Sequence, residues 1–293
     1  MPSPTVVHDL DQAYLTIMQS RAQGTKWGLV PTMGALHDGH LSLVQAAHET
    51  CDAVAVTIFV NPTQFGPGED LDRYPRTWEA DLAALEQHQV DLVFAPTIES
   101  MYPPGCTTRV RPSDVAADLE GRFRPDHFEG VATIVLKLFQ VLPAEHAFFG
   151  QKDYQQCLVV RDMVRDLNLP IHLSFRPTVR EHDGLALSSR NRYLSDVDRQ
   201  RALGLSRALA AAAARAHQGE RDPQRLEALA TQVLDDAGVD RIDYVALRDA
   251  DTLAPLKELS GRAVMLIAAH VGATRLIDNR VISVVASESA SQG

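Results

Sequence analysis

The sequence is poor in cysteine and contains no long apolar segment. Its three cysteines, Cys51, Cys106 and Cys157, stand far apart and form no Cys-x-x-Cys pair. Their spacing argues against a disulfide scaffold or a cysteine-based zinc cluster and favours a reducing compartment. No apolar run is long enough to span a bilayer as a helix. Residues 1–14 also lack the basic and apolar segments of a secretion signal. We therefore expect a soluble, cytoplasmic protein.

Positive charge is also scarce. The 293 residues include 28 Lys and Arg against 38 Asp and Glu, which gives a formal net charge of −10. An acidic chain lacks the clustered basic side chains with which proteins hold nucleic-acid phosphates. We therefore expect no nucleic-acid partner. An anionic ligand would have to be held by a local pocket rather than by the field of the whole molecule.

The hydrophobic residues, 45% of the chain, are numerous enough for two domains. Between Trp27 and about Thr178, short β-branched runs alternate with stretches of helical spacing. This alternation predicts an α/β domain, a Rossmann-like parallel sheet covered by helices. The predicted strands are 26–32, 52–61, 90–96, 146–150 and 171–178, and the predicted helices are 40–50, 77–88, 130–142 and 153–168.

The character of the sequence changes near residue 180. An Ala-rich helix is predicted at about 196–217 and a second helix at about 222–237, followed by strand-like runs at 241–249 and 262–271. We predict two domains: a Rossmann-like domain over residues 1–180 and a smaller α+β C-terminal domain over residues 181–293.

The stretch PTMGALHDGH, residues 31–40, follows the first of these strands. Gly34 and Gly39 have the spacing of the front of a P-loop, but His40 and Leu41 stand where Lys and Ser or Thr are required. A metalloprotease-type zinc site does not fit either, because its histidines lie four residues apart and a third ligand is needed. Neither of these two sites is therefore predicted.

An anion site fits the same residues better. The strand is predicted to end at Pro31–Thr32 and a helix to begin around Gly39, so the first N–H groups of the helix would have no internal partner. His37 and His40 could both donate hydrogen bonds to a phosphate bound there. A strand–helix turn whose histidines only cap and pack remains the alternative on these residues alone.

The stretch PTMGALHDGH resembles the signature of the pantothenate synthetase (pantoate–β-alanine ligase) family, whose His-x-Gly-His element also occurs in nucleotidylyltransferases and class I aminoacyl-tRNA synthetases. Residues 59–77, 124–156 and 183–195 are similar to the same family, in the same order, as are LRDADTL and RLIDN near the end. The resemblance implies ATP-dependent condensation of pantoate with β-alanine through pantoyl adenylate, giving pantothenate, AMP and pyrophosphate. It also implies a homodimer, Mg²⁺ bound with ATP, and no organic cofactor. Nucleotide and pantoate would bind to the domain over residues 1–180, and the domain over residues 181–293 would be a lid associated with the dimer.

The resemblance assigns roles to individual positions. His37, His40 and Lys152 would be catalytic, and Gln64 and Gln156 would bind pantoate and β-alanine. Mg²⁺ would have no dedicated protein ligands, with Asp81 as the nearby acidic residue, and Arg124 and His127 would have supporting roles. The positions implied for ATP binding are Met33, Gly34, Ala35, Leu36, His37, Asp38, Gly39, His40, Gly150, Gln151, Lys152, Asp153, Val179, Leu187, Ser188, Ser189 and Arg190.

Without the resemblance, two of these motifs have simpler interpretations. Lys152 would be a solvated loop lysine, and Ser188–Asn191 would be a polar turn or helix cap. Two other functions remain open: a nucleotidylyltransferase that releases its adenylated product, and a nucleotide-binding module without catalysis. The intact Lys152, Gln64 and Gln156 argue against the second of these.

Overall fold

The computed structural model describes residues 3–284. By its internal contacts the chain divides into two compact units, Met1–Val179 and Arg180–Gly293. Residues 1–2 of the predicted first domain and residues 285–293 of the predicted second domain lie outside the described residues. Separate groups of buried hydrophobic side chains form the core of each unit.

The first unit contains a six-stranded sheet in which every pairing is parallel. This confirms the predicted α/β fold class. The strands are β1 (Thr5–Val7), β2 (Trp27–Val30), β3 (Ala53–Thr57), β4 (Leu92–Phe94), β5 (His146–Gly150) and β6 (His172–Arg176). They are paired in the order β1-β4-β3-β2-β5-β6.

Helices cover both faces of this sheet because its central strands are apolar on both sides. The helices are α1 (Leu10–Ala22), α2 (Asp38–His48), α3 (Trp78–Gln87), α4 (Ile98–Met101), α5 (Glu120–Phe123), α6 (His127–Val141) and α7 (Tyr154–Asp166). One face of the sheet carries Leu29, Phe94 and Phe149 and packs on α1, α6 and α7. The other face carries Val30, Val93 and Phe148 and packs on α2 and α3.

The strand order reverses beside β2. From β2 the chain continues to β3 and β4 on one side, and later to β5 and β6 on the other. Gly28 and Leu29 of β2 lie opposite His146 and Ala147 of β5. Ligands of open parallel sheets bind outside the carboxyl ends of the strands at such a reversal. The segments that follow β2 and β5, which contain His37, His40 and Lys152, both begin there.

As far as residue 284, the second unit contains two α-helices and an antiparallel sheet of three strands, paired in their order along the chain. This confirms the predicted α+β class of this part of the chain. Its elements are α8 (Asp196–His217), α9 (Pro223–Asp236), β7 (Arg241–Asp249), β8 (Arg262–Val271) and β9 (Thr274–Ser283). No helix within residues 3–284 has the length and apolar character needed to cross a membrane.

Five helices and strands of the described residues were not predicted: β1, α1, β9 and the four-residue helices α4 and α5. The edge strand β1 has only three residues, and α1, which follows it, leaves Tyr14, Leu15 and Met18 exposed, so neither gives a clear periodic signal. Strand β9 carries Asp278 inside its apolar run. That carboxylate is nevertheless buried, because Arg180 donates two hydrogen bonds to it, of 2.7 and 2.9 Å.

Candidate active site

The segment after β2 forms a tight turn rather than a longer strand. The strand ends at Val30, so the prediction that it continues to Pro31–Thr32 extended it too far. Gly34 and Ala35 have φ angles of +80° and +50°, both in the left-handed region. The Gly34 N–H donates to the Thr32 hydroxyl oxygen at 3.1 Å. The left-handed pair reverses the chain between β2 and α2.

A carboxylate from another helix holds this turn. Asp81 lies in the first turn of α3, and only 3% of it is exposed. Its Oδ2 accepts the N–H of Ala35 at 2.9 Å, and its Oδ1 accepts the N–H of Leu36 at 2.9 Å. The Thr77 hydroxyl also donates to Oδ1, at 3.0 Å. The acidic residue expected beside Mg²⁺ therefore has both oxygens engaged by the protein.

His37 is the N-terminal cap of α2, which begins at Asp38. Its Nδ1 accepts the N–H of Gly39 at 3.2 Å, and its carbonyl accepts the N–H of His40 at 2.8 Å. The prediction that the first N–H groups of this helix lack an internal partner was therefore wrong for Gly39 and His40. Because Nδ1 is an acceptor, the neutral ring carries its proton on Nε2, which is the donor atom.

His40 lies against His37, with 4.1 Å between ring centroids. Burial, with smaller contributions from His37 and Lys152, lowers the pKa of His40 to about 3. The ring is therefore neutral near pH 7 and carries a single N–H. Among the described residues, no partner hydrogen-bonds to its buried Nδ1 atom.

Lys152 lies in the segment after β5. The strand ends at Gly150, a 3-10 turn covers Gln151–Asp153, and α7 begins at Tyr154. The Lys152 side chain is 19% exposed, and its Nζ is 3.9 Å from Asp153 Oδ1. Its charge is close enough to contribute to the low pKa of His40. The reversal of strand order thus brings Lys152 to the two histidines.

Gln64 ends a 3-10 turn, Pro62–Gln64, beyond β3. Its Nε2 contacts Met33 Sδ at 3.3 Å, so it lies beside the turn after β2. Asn61 donates to Gln64 Oε1 at 3.0 Å and to the Gly130 carbonyl at 3.2 Å. The Tyr102 hydroxyl donates to Asn61 Oδ1 at 2.8 Å. Asn61, which is 1% exposed and was not among the predicted residues, holds the Gln64 side chain.

Arg124 and His127 hold the backbone of the same turn. The Arg124 guanidinium donates to Glu69 at 2.8 and 2.6 Å and to the Gln64 carbonyl at 3.3 Å. The Nδ1–H of His127 donates to that carbonyl at 2.9 Å, and its Nε2 accepts from Arg124 at 3.2 Å. Burial and the Arg124 charge lower the pKa of His127 to about 4, in agreement with a neutral ring that both donates and accepts.

The remaining predicted residues lie in two places. Gln156 is half-buried in the first turn of α7, and Val179 is the last residue of the first unit. The predicted phosphate loop, with Leu187, belongs to the second unit. There the Ser188 hydroxyl accepts the N–H of Arg190 at 3.3 Å and caps the 3-10 turn Ser189–Tyr193. The position of this loop beside ATP stays a prediction.

The donor set does not form a cage for a resident metal ion. Within residues 3–284 no group of three or more His, Cys, Asp or Glu side chains is arranged to hold one. The Asp81 oxygens already accept hydrogen bonds from the turn and from Thr77. Magnesium prefers to keep water and phosphate oxygens as ligands, so these residues fit Mg²⁺ that enters as its ATP complex.

Comparison with known proteins relates the chain to one family. The family model described as pantoate-beta-alanine ligase matches residues 5–281. The pantothenate synthetase of Acidobacterium capsulatum is 53% identical over 264 residues, which are 88% of each chain. That of Rhodopirellula baltica is 54% identical over 89% of this chain and 93% of its own.

Two solved structures are similar over nearly the whole chain. Pantothenate synthetase from Thermus thermophilus has a TM-score of 0.90 and 45% identity, and the match covers 94% of this chain and 98% of that one. Pantoate-beta-alanine ligase from Francisella tularensis, complexed with beta-gamma ATP and beta-alanine, has a TM-score of 0.79 and 33% identity, over 95% and 98% of the two chains.

Gly130 should be essential for the position of Gln64. A Cβ atom at Gly130 would lie 2.3 Å from the Thr63 carbonyl oxygen and 2.8 Å from the Gln64 Cα. Gly130→Ala should therefore displace the 3-10 turn and lower the free energy of unfolding by about 1–3 kcal/mol, measured by urea denaturation. Gly66→Ala is the control, because a Cβ there would meet nothing closer than 3.6 Å. Equal stability of the two variants would contradict the packing described.

The low pKa of His127 predicts how the free energy of unfolding depends on pH. His127 has a folded pKa of about 4 against an ordinary value of 6.5, so below pH 6.5 the unfolded chain binds a proton that the folded chain does not. Stability should fall as pH falls from 6.5 toward 4, by at most about 1.4 kcal/mol per pH unit for this histidine.

His127→Asn should make that dependence shallower, because an amide can still donate to the Gln64 carbonyl but does not titrate. Urea denaturation of both proteins between pH 7 and 4.5 measures the difference in slope. An identical slope in the variant would mean that His127 is not held neutral.

Proposed function

Because the chain belongs to the pantoate-β-alanine ligase family, we propose that it condenses pantoate with β-alanine in an ATP-dependent reaction that releases pantothenate, AMP and pyrophosphate. The family model covers residues 5–281, which include all the site residues discussed above. The Francisella relative forms a complex with an ATP ligand and β-alanine. The observation that carries the proposal is the meeting of His37, His40 and Lys152 where the strand order reverses.

The reaction has two steps. A pantoate carboxylate oxygen attacks the α-phosphorus of ATP, and the bond from that phosphorus to the bridging oxygen breaks, so that pyrophosphate leaves. The product is pantoyl adenylate, a mixed anhydride. The β-alanine nitrogen then attacks its acyl carbon, AMP leaves with the bonding electrons, and the nitrogen loses a proton. Adenylation is needed because a free carboxylate would have to expel oxide, whereas AMP is a good leaving group.

The first step needs positioning and charge stabilisation more than proton transfer. Negative charge builds up on the phosphate oxygens as pyrophosphate departs. Lys152 would supply a positive charge there, and His37 would donate from Nε2, because its Nδ1 accepts from Gly39. In a chain of net charge −10, these local donors would have to hold the phosphates.

His40 would act as a neutral hydrogen-bond donor. With a pKa of about 3, the ring has no additional proton to give at neutral pH. Its single N–H can still bind a phosphate oxygen, and the unpartnered buried nitrogen supports a position that a ligand completes. This role differs from that of a general acid, which would need a pKa near the working pH.

Gln64 and Gln156 would bind pantoate and β-alanine through their amides, which offer both donors and acceptors. The Gln64 side chain is already oriented by Asn61, and its backbone by Arg124 and His127. These contacts restrict the amide before substrate arrives. Positioning of this kind reduces the entropy lost on binding.

The other assigned positions would surround ATP. The N–H groups of Gly34, Ala35 and Leu36 donate hydrogen bonds to other groups of the protein. This turn would therefore contact the nucleotide through its histidines and through the close approach of its backbone. Mg²⁺ would enter with ATP and bridge phosphate oxygens. The remaining ATP positions we propose are Met33, Asp38, Gly39, Gly150, Gln151, Asp153, Val179, Leu187, Ser188, Ser189 and Arg190. We also propose that the enzyme is a cytoplasmic homodimer.

Exchange of labelled pyrophosphate into ATP tests the proposal. With Mg²⁺ and pantoate but no β-alanine, exchange should occur and should depend on pantoate, because the first step is reversible. His40→Ala and Lys152→Ala should each slow it by roughly 100-fold, the effect of removing one such donor. His48→Ala, at the exposed far end of α2, is the control and should keep the wild-type rate.

The outcomes distinguish the alternatives. Addition of β-alanine should release AMP; release of the adenylate itself without amine-dependent AMP would instead identify a nucleotidylyltransferase. ATP binding without exchange would identify a module without catalysis. Wild-type exchange in folded His40→Ala and Lys152→Ala would remove these residues from the mechanism.

A further inference from the structure

The hydrogen bonds of Asp81 are unusual for a surface helix. The residue lies in the first turn of α3, yet its carboxylate is buried and faces backbone more than forty positions earlier in the chain. A buried carboxylate is costly unless its oxygens are hydrogen-bonded. Both are, to the N–H groups of Ala35 and Leu36. The carboxylate therefore belongs structurally to the turn after β2.

The turn presents the kind of backbone concavity that binds anions. Successive N–H groups can converge on an anion in a turn conformation, and here the N–H groups of Ala35 and Leu36 both donate to the one carboxylate. A φ of +50° is also unfavourable for Ala35, which has a Cβ atom. The Asp81 carboxylate, an anion that belongs to the protein itself, occupies this concavity. The hydrogen bonds offset the strain, and they keep the N–H groups of Ala35 and Leu36 from a phosphate.

The Asp81 carboxylate is closely surrounded and has little room to move. A Cβ atom at Gly34 would lie 3.0 Å from Asp81 Oδ2 and 3.0 Å from Ile58 Cγ2. The Thr77 hydroxyl holds the same carboxylate from the other side at 3.0 Å. Rotation of the Leu36 peptide away from Asp81 would therefore change the direction in which the chain enters His37.

His37 depends directly on that direction. It follows Leu36, caps α2 through its Nδ1, and lies 4.1 Å from the ring of His40. A change at the Leu36 peptide would move both rings together, and a displacement of about 1 Å at a reacting centre can cost 100-fold in rate.

We propose that Asp81 is a positioning residue of the active site, whose carboxylate locks the turn at residues 34–36 so that His37 and His40 meet the α-phosphate. The proposal rests on the function proposed above. It assigns Asp81 to the histidine turn, and it differs from a magnesium ligand, whose oxygens would face the metal.

The test is pyrophosphate exchange in Asp81→Asn, which keeps the size of the side chain but sets an NH₂ group against one backbone N–H. The rate constant kcat should fall roughly 10-fold to 100-fold, with a small change in KM for pantoate. Glu145→Gln is the matched control. Its carboxylate accepts the N–H of Trp27 at 2.8 Å at the opposite end of β2, so exchange there should be unchanged.

A double-mutant cycle separates positioning from general damage. If Asp81 acts through the two histidines, Asp81→Asn should cost less further activity in a His37→Ala or a His40→Ala background than in the wild type. Effects that multiply fully in both double variants would overturn the proposal, as would full activity of folded Asp81→Asn or its restoration by high Mg²⁺ concentration.

A second readout does not require catalysis. The imidazole nitrogen signals of His37 and His40 in NMR spectra should shift in Asp81→Asn and stay in place in Glu145→Gln. Unshifted signals in the folded Asp81→Asn variant would overturn the proposal. Absence of exchange in the wild type, with shifted signals in the variant, would instead overturn the proposed function and leave the positioning role standing.

Discussion

The pairing of β2 with β5 is the contact on which the site depends. Strand β2 lies in the middle of the sheet, and the chain leaves it in both directions, to β3 on one side and β5 on the other. The carboxyl ends of β2 and β5 are therefore neighbours, although their sequences are more than one hundred residues apart. This feature of the topology brings His37, His40 and Lys152 close together, and the contacts of the surrounding loops then fix their positions.

The electrostatics of this location differ from those of the whole chain. The protein has a net charge of −10, yet the proposed site would have to receive a highly charged nucleotide. Burial keeps His40 neutral, with a pKa of about 3, and His127 neutral, with a pKa of about 4. These rings can orient and donate without adding charge. Lys152 is a cation whose field reaches His40. In the proposed mechanism Lys152 and Mg²⁺ neutralise charge, and the histidines orient the phosphates.

Much of this fold could be predicted from the sequence, because most elements carry strong local signals. Helix α8 begins after Ser195, whose side chain caps it, and β7 and β8 were predicted with the bounds that the structure shows. Elements without such signals were missed. Strand β1 is only three residues long, and β9 contains Asp278, whose burial depends on the distant Arg180. A charge inside a strand pattern suggests solvent unless its partner is known.

The site was predictable to a similar degree. The histidines, Lys152 and Gln64 lie in segments with a recognisable family pattern, and the structure brings them to one end of the sheet. Arg124 and His127 were given supporting roles, but two other residues that hold the site were not selected for that role. Asp81 and Asn61 act through hydrogen bonds to backbone and side chains far away or on other elements, and such pairings depend on tertiary structure. A local pattern cannot show which backbone N–H a carboxylate will meet.

The central claim is that the phosphate site is built from neutral imidazoles beside one lysine. NMR titration of the wild-type histidine rings, with His40→Ala and His37→Ala used for assignment, tests it most directly. His40 should remain neutral from pH 8 down to the acid limit of the folded protein, in keeping with its pKa of about 3, and His37 should carry its proton on Nε2 at neutral pH. A His40 that gains its proton near the ordinary value of 6.5 would contradict the account and would make a proton-donor role the better explanation.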